Sequence, residues 1–586
     1  MDRSLLILYG SETGSAQDVA ENIGRQARRR RFRIRVLAMD DYDKLQLVNE
    51  KLVIFVCSTS GQGDEPANMK KFWRFLLRKN LPHDILSHLD CAVFGLGDSS
   101  YRKFNYPSKK LYKRLTQLGA NMLCERGDGD DQHYQGVDGG LSPWLKDLWQ
   151  NIMRKYPLPM GTELIPDDVL LPPSVRIEFL SGDGKDRMAS FVQQQREPGE
   201  YDLIVKQNQR ITAEDHFQDV RHVILSDPSE QLAYEPGDVA VITPRNIPQD
   251  VDAFLELMGW TEYADRHLQL HPAQDHQIPT HWPSVMTFRD LFVNCLDIFG
   301  VPRRSFFEML AYFTKDENHT ERLREFNTPE GLDDMWAYCQ RPRRTIAEVL
   351  FDFKPVDIPF DYMLDLFPPL QPRSFSIASS LKAHPNEIHL CVAIVKYKTV
   401  LRRIRRGVLT KWLSSLQPED TIERIRIAKG TMKLPPSSDI PLIAIGPGTG
   451  IAPMRSFIEE RIKNNAKDNV LFFGCRYRDK DYHYREEWEK YVADGSLTVF
   501  TAFSRDQEEK LYVQDRIREN ASLVWYLIDK CQAKVILSGS ADKMPKEVAY
   551  AFKQVFMSQG GLDAAAAEEY FDKMSKTGQY QEECWS

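Results

Sequence analysis

The stretch "LLILYGSETGSAQD" (Leu5–Asp18) runs from an apolar strand-like segment through a Gly-rich turn into a helical pattern. A turn at a helix N-terminus presents backbone N–H groups and the positive end of the dipole to an anion. This one lacks the GK[ST] ending of a triphosphate loop. The hydroxyls of Ser11, Thr13 and Ser15, together with those N–H groups, suit a single terminal phosphate. Taken alone, the turn reads equally well as a tight structural corner.

The same alternation continues outward. "IRVLAM", "KLVIFVC" and "CAVFGLG" read as strands, and "NMKKFWRFLLRK" and "SKKLYKRLTQLG" as helices. Together they predict a doubly wound parallel sheet with helices on both faces. Open sheets of this kind bind ligands at the carboxyl ends of their strands. Three further loops fall there: "STSGQGD" (58–64), "GLGDSSYRKFN" (95–105) and "GDGDDQ" (127–132). They supply glycines for close backbone approach, Tyr101 as a stacking surface, and carboxylates for sugar-like hydroxyls. The four loops suit a phosphate and a flat ring held together.

A Pro-rich segment (157–174) and a polar one (181–200) then read as a linker containing one strand. From about Asp202, strand-like pieces between turn signals ("VRHVILS", "DVAVITP", "IHLCVAIVKY") predict an antiparallel β-barrel. A helical insert, about 248–368, interrupts it. The last 150 residues return to βα alternation and predict a second doubly wound α/β nucleotide-binding domain. The expected domains are 1–152, the linker 153–200, the barrel with its insert 201–437, and 438–586.

Composition narrows the function classes. The 586 residues are 42% hydrophobic, with net charge −7, and show no overall footprint for nucleic acid. The first 150 carry 23 Lys+Arg against 19 Asp+Glu, a net of +4, which leaves −11 for the remainder. "RRRRFRIR" (Arg28–Arg35) supplies much of the excess, and reads as a solvated helix end suited to the dipole or as a docking face for an acidic partner. No apolar run reaches the length of a membrane span, and no export signal is seen, so a cytoplasmic location is expected. Nine dispersed cysteines, with no CxxC pair and no zinc spacing, predict reduced thiols and no metal site.

Two later regions carry chemistry. "RSFS" (Arg373–Ser376) sets an Arg and a Ser around an aromatic entering a strand, "RRGVLTKWL" (Arg405–Leu413) opens a helix with a Gly turn, and "RPRR" (Arg341–Arg344) offers forked donors for a pyrophosphate. An ordinary barrel strand and a solvated basic turn explain the first and last equally well. "PLIAIGPGTGIAPMRSF" (441–457) is strand, Gly-rich turn and helix. Ser504, Arg505 and Lys510 offer hydroxyl and cations for the 2′-phosphate of a nicotinamide dinucleotide, and Tyr512 a surface for adenine.

In this order the motifs resemble the diflavin reductase family, a flavodoxin-like FMN domain followed by a ferredoxin–NADP⁺ reductase-like module. The resemblance implies FMN, FAD and NADPH. It carries Ser11, Glu12, Thr13, Gly14, Ser15 and Ala16 onto the FMN phosphate. Ser58, Thr59, Ser60, Gly61, Leu96, Gly97, Asp98, Ser99, Ser100, Tyr101, Arg102, Lys103, Phe104, Asn105 and Asp131 go to its ring and ribityl chain. Arg343, Arg373, Ser374, Phe375, Ser376, Cys391, Val392, Ala393, Tyr397, Gly407, Val408, Leu409 and Thr410 become FAD contacts. Thr449, Ser504, Arg505, Lys510, Leu511, Tyr512, Val513, Gln514 and Glu547 become NADPH contacts.

Trp585 takes the place of an aromatic that covers the FAD ring, and Ser376 and Glu583 assist hydride transfer as catalytic polar groups. Ser60 stands where related reductases have a tyrosine, and Ser538 where they have a cysteine. The implied route runs NADPH to FAD to FMN to a one-electron acceptor. The compact length and strings such as "GDDQH", "VPRRSFFE" and "RPRRTI" resemble the branch serving cytosolic iron–sulfur cluster assembly, whose acceptor is an anamorsin-type iron–sulfur protein. A reductase of haem monooxygenases or of a sulfite reductase haemoprotein is the nearest alternative. A flavin-binding sensor or scaffold without turnover is the alternative from another class.

Overall fold

The computed structural model describes residues 3–585 except 62, 102, 182–198, 274, 275 and 280. The chain divides into two compact units. One comprises 1–194, 245–371 and 399–403, and the other 195–244, 372–398 and 404–586.

The first unit opens with β1 (Ser4–Gly10), α1 (Ser15–Arg29), β2 (Arg33–Ala38), β3 (Leu52–Ser58), α2 (Lys70–Leu76), β4 (Asp90–Gly97), α3 (Tyr106–Gln117), β5 (Asn121–Met122), β6 (Gly127–Asp130) and α4 (Asp138–Lys155). The strands are parallel in the order β2-β1-β3-β4-β5, and β6 also pairs with β4. β3 is buried along nearly its whole length, as its unbroken apolar run requires in a sheet covered on both faces. α1 buries Ala16, Val19, Ala20, Ile23 and Ala27, the 3.6-residue period that turns one stripe toward the sheet. The order reverses direction between β1 and β3, which puts a crevice beyond their carboxyl ends.

The insert belongs to this unit. The linker strand Val175–Phe179 pairs with His267–Pro272, which pairs in turn with Val285–Thr287. The linker thus contributes a strand to the insert's three-stranded sheet. Behind it Phe254, Trp260, Phe288, Phe292 and Phe367 pack edge to face and stacked. Burying each such ring stabilises the insert by roughly 1.5–3 kcal/mol.

The expectation of a solvated Arg28–Arg35 run fails at Arg29. That side chain is buried, and it donates to the carbonyls of Pro166 and Val169 and to the Tyr312 hydroxyl at 2.6–2.9 Å. The Pro-rich segment leaves carbonyls that regular structure cannot pair, and Arg29 satisfies them.

The second unit holds a nearly closed antiparallel barrel of six strands. Their order is Arg373–Ser376, Val239–Ile242, Thr421–Ala428, Glu200–Arg210, Val220–Ser226, Glu387–Ala393, and an Ile377–Leu390 bridge joins the ends. A five-stranded parallel sheet follows, ordered Thr498–Phe503, Asn469–Cys475, Leu442–Ile445, Lys534–Ser540, Tyr580–Trp585. The polar tail is thus an edge strand, which fixes the backbone of Trp585. All nine cysteines are free. Among the described residues no helix is long and apolar enough to cross a membrane.

Candidate functional site

In the first unit the expected phosphate loop closes the gap between β1 and α1. Gly14 adopts φ +82°, a left-handed conformation that favours glycine, and no side chain caps α1. One helix-opening N–H, that of Ala16, is taken by Ser11 Oγ, and the others are left to an anion. The loop is tied from outside. The side-chain carbonyl of Asn68 accepts from Ser11 N at 2.8 Å, the Glu12 carboxylate accepts from Ala67 N at 2.9 Å, and Ser11 Oγ accepts from Ala16 N at 3.3 Å.

The expected ring loops lie beside it. Ser58 Oγ donates to Gly10 O at 3.4 Å, and Thr59 N donates to Leu96 O at 2.9 Å, which joins the loop after β3 to the end of β4. Ser60 and Asp64 form an isolated bridge that draws Gly61 into a turn, and the Ser60 hydroxyl is buried without a partner among the described residues. A Cβ on Gly63 would stand 2.6 Å from that of Lys103, so this turn packs directly on the third loop.

That loop is braced by carboxylates. Asp98 accepts from Ser100 N at 2.8 Å and from the Gln132 amide at 3.0 Å, and Asp130 accepts from Ser99 N at 2.9 Å. Burial opposes the charge on Asp130, but hydrogen bonds from Ser99 and Gln132 outweigh it and hold the group below the usual carboxylate range. Asp131 N donates to Gly97 O at 2.9 Å, which adds the fourth loop, and Asn105 starts α3 from a left-handed φ of 50°. Tyr101 and Phe104 are half-buried. Arg102 lies outside the described residues. The structure thus brings together the loops of Ser11–Ala16, Ser58–Gly61, Leu96–Asn105 and Asp131 at one sheet edge.

In the second unit, Arg373, Ser374, Phe375 and Ser376 pair in register with Ile242, Val241, Ala240 and Val239. Arg373 and Ser374 are exposed, while Phe375 and Ser376 are half-buried. Cys391, Val392 and Ala393 end the barrel strand that closes the ring, and Tyr397 is exposed on the hairpin beyond. Gly407 precedes the helix Val408–Ser415, which no side chain caps. Thr410 Oγ1 accepts from Val395 N at 3.1 Å, which pins that turn to the hairpin, and Leu409 is buried in the helix rather than turned to the surface. Arg343 falls in the other unit, exposed and left-handed at φ 53°.

The "GPGTG" turn sits at the centre of the parallel sheet. Gly448 has φ +58°, and a Cβ there would meet nothing within 4 Å, whereas one on Gly450 would stand 2.1 Å from Ser538 O. One face of the turn is therefore open for a pyrophosphate, and the other lies on Ser538. Ser538 and Glu583 are register partners, as are Ser540 and Trp585. Thr449, Ser538, Glu583 and Trp585 thus gather at one end of the sheet. Ser538 is fully buried, its hydroxyl has no partner among the described residues, and Trp585 is 41% exposed.

Residues 429–433 link this cluster to the barrel. Lys429 pairs at 3.0 Å with the buried Asp238, whose carbonyl accepts from Ile377 N next to Ser376, and Thr431 Oγ1 donates to Glu583 at 3.4 Å. At the next strand ends, Ser504 N donates to Cys475 O and Arg505 N to Arg476 O, both at 2.9 Å. Arg505 and Lys510 are exposed. Tyr512 begins the helix Val513–Glu519, with its N–H donating to Asp515, and Val513 approaches Gly474 closely. Leu511 and Gln514 are half-buried, and Glu547 is exposed in the first turn of Met544–Gly560.

Sequence reasoning missed the groups that hold this unit together. Arg455, which ends the quoted "IAPMR", is 3% exposed. It pairs with Glu459 at 2.8 Å and Glu487 at 2.7 Å, and donates to Ala378 O at 2.7 Å. Glu459 accepts from Ser380 N at 3.0 Å. These bonds bind the helix behind the Gly-rich turn to the barrel. His384, Glu387 and His389 place three ligand atoms within 4.8 Å, a possible metal grouping. The Arg455 guanidinium lies 3.2 Å from His389 Nδ1 and 3.4 Å from His384 Nε2, so a cation already fills that cluster.

The donor sets fit the three expected groups: uncapped helix starts and open Gly turns for phosphates, and buried hydroxyls without partners at Ser60 and Ser538. Family models agree. A flavodoxin model matches residues 7–144, an FAD binding domain model 196–412, and an oxidoreductase NAD-binding domain model 444–549. A Danio rerio protein named NADPH-dependent diflavin oxidoreductase 1 is 46% identical over 100% of this chain and 99% of its own length. Proteins of the same name from Xenopus laevis and Arabidopsis thaliana are 45% and 40% identical, covering 100% of this chain and at least 99% of their own length.

Proposed function

We propose, from the premise that the chain belongs to the NADPH-dependent diflavin oxidoreductases, that it passes electrons from FMN to an anamorsin-type iron–sulfur protein in cytosolic cluster assembly. The family membership brings FMN, FAD and NADPH with it. When bound, these cofactors supply two-electron entry from the nicotinamide and one-electron exit through FMN. The chain's own residues bind, orient and shield.

The single observation that carries the entry site is the convergence of the Gly448 turn, Ser538, Glu583 and Trp585 at one sheet end. Arg373 and the helix start at Gly407 are assigned to the FAD pyrophosphate. Phe375 is assigned to stack on the ring. Ser376 and Glu583 are the polar groups beside the transferred hydrogen, and Trp585 covers the ring until nicotinamide arrives. Ser504, Arg505, Lys510 and Tyr512 are assigned to the 2′-phosphorylated adenosine. Ser11–Ala16 hold the FMN phosphate, and the loops of Ser60, Tyr101 and Asp131 surround its ring and ribityl chain.

Support for the acceptor comes from the net positive amino-terminal 150 residues and the "GDDQH", "VPRRSFFE" and "RPRRTI" strings. Nine free thiols suit a reducing compartment. The test is anaerobic. NADPH-reduced full-length protein is mixed with an oxidised anamorsin-type protein, and the cluster's EPR signal is followed. Rapid cluster reduction is expected. Fully reduced flavins with no cluster signal would reject this acceptor in favour of a haem protein.

A further inference from the structure

The phosphate loop poses an electrostatic problem. Between Ser11 and Ala16 the only charged side chain is Glu12, which is negative and engaged by Ala67 N. A flavin phosphate brings up to two negative charges to this site. Backbone N–H groups and a helix dipole supply only partial compensating charge.

The insert supplies a cation. Arg303 stands at the N-cap of the helix Arg304–Leu310, and its Nη2 donates to Thr13 O at 3.2 Å and to Ser15 Oγ at 3.5 Å, across 290 residues of sequence. The guanidinium is held there by its neighbours. Ser305 Oγ donates to Asp18 at 2.5 Å, and Arg304 Nη1 reaches Ser142 Oγ at 3.2 Å and Asp138 at 3.6 Å. Gln371 closes the same side, since a Cβ on Gly14 would stand 3.0 Å from its Nε2. Both Arg303 bonds run through one nitrogen of a group with five donors, and the guanidinium fork matches phosphate oxygens.

We infer that Arg303 is a positioning and charge-compensating residue for the FMN phosphate, contributed by the insert to a loop that has no cation of its own. The inference rests on the reading of Ser11–Ala16 as the phosphate site. It makes FMN retention and docking of the insert on that loop mutually reinforcing, because each stabilises the arrangement the other needs.

The discriminating probe is riboflavin, which has the ring and ribityl chain but no phosphate. Full-length protein stripped of FMN, with FAD retained, is titrated with FMN and with riboflavin by flavin fluorescence. R303Q is expected to lower the preference for FMN over riboflavin about tenfold, the loss of one charge-assisted bond. Riboflavin affinity is expected to stay unchanged, and R303K to recover part of the preference. A merely structural role would weaken both ligands equally, and that result overturns the inference. An unchanged preference in R303Q also overturns it if the double variant T13A/S15A lowers the preference. If neither R303Q nor T13A/S15A changes it, the phosphate lies elsewhere, and the site reading falls together with the inference.

Discussion

The two units solve the same problem, holding a phosphorylated cofactor, with different materials. The first uses short polar loops at a sheet edge, tied by single hydrogen bonds such as Asn68 to Ser11 and Glu12 to Ala67. The second sets its Gly-rich turn against a buried ionic network around Arg455 and a terminal edge strand. Loops with single ties can adjust and exchange. A buried network fixes one geometry, and removing one member leaves charge stranded. The contrast suits a unit that must present FMN to a separate acceptor and a unit that must align two cofactors.

The largest effect that would break this contrast is at Arg455. R455M strands the buried Glu459 and is expected to destabilise the second unit by about 3–5 kcal/mol. FAD should then be released at a lower temperature while FMN release is unchanged. Equal shifts for both flavins would show that the units are not independently held.

Next is Gly450. G450A forces a methyl group against Ser538 O and should raise the NADPH concentration needed to bleach the flavins by about tenfold or more, as for other overpacked sites costing roughly 1–3 kcal/mol. The same change at Gly448, where a Cβ meets nothing, meets only the cost of its φ of +58°. Equal losses at the two positions would remove the packing argument.

Acid should act mainly on the second unit. Burial, and then the Arg455 charge, push His222 down to about 3, and burial pushes His483 down to about 4. The unfolded chain takes up these protons near pH 6.5, while the folded chain still refuses them. Stability is therefore full above about pH 6.5 and falls as pH drops toward those values. The temperature of FAD release, followed between pH 7 and 4, should fall over that window, and less steeply in H222Q. The same slope in H222Q would remove His222 as a source.

The smallest effect is expected at the insert. R304A removes a long pair with Asp138 and a bond to Ser142 Oγ, both mostly buried, and should cost the first unit about 1 kcal/mol, seen as a small drop in the temperature of FMN release. A drop as large as that of R455M on FAD would reverse the comparison.

What the sequence made legible follows from locality. A Gly-rich turn between an apolar run and a periodic helix announces itself in fifteen residues, and so do "RSFS" and "GPGTG". The fold class followed from the same short-range alternation. What stayed hidden depends on contacts distant in sequence. Arg303 looks like an ordinary helix cation until the fold brings it to Thr13, and Arg455 until the fold brings it to Ala378 and Glu487. Arg29 reads as a solvated charge because nothing local shows that the Pro-rich segment will offer it carbonyls. The family position marks Trp585 as a ring cover, but that its backbone is held on an edge strand beside Ser540 shows only in the pairing. Periodicity reports a residue's face on its own element, whereas a site also depends on which element arrives opposite.

The central claim is that electrons enter through the second unit and leave only through the FMN of the first. Full-length protein with FMN removed and FAD retained should be mixed anaerobically with NADPH and a one-electron acceptor in a stopped-flow cell. The account predicts that FAD bleaches at the rate seen in the complete protein, while acceptor reduction collapses until FMN is added back. Undiminished acceptor reduction without FMN would contradict it.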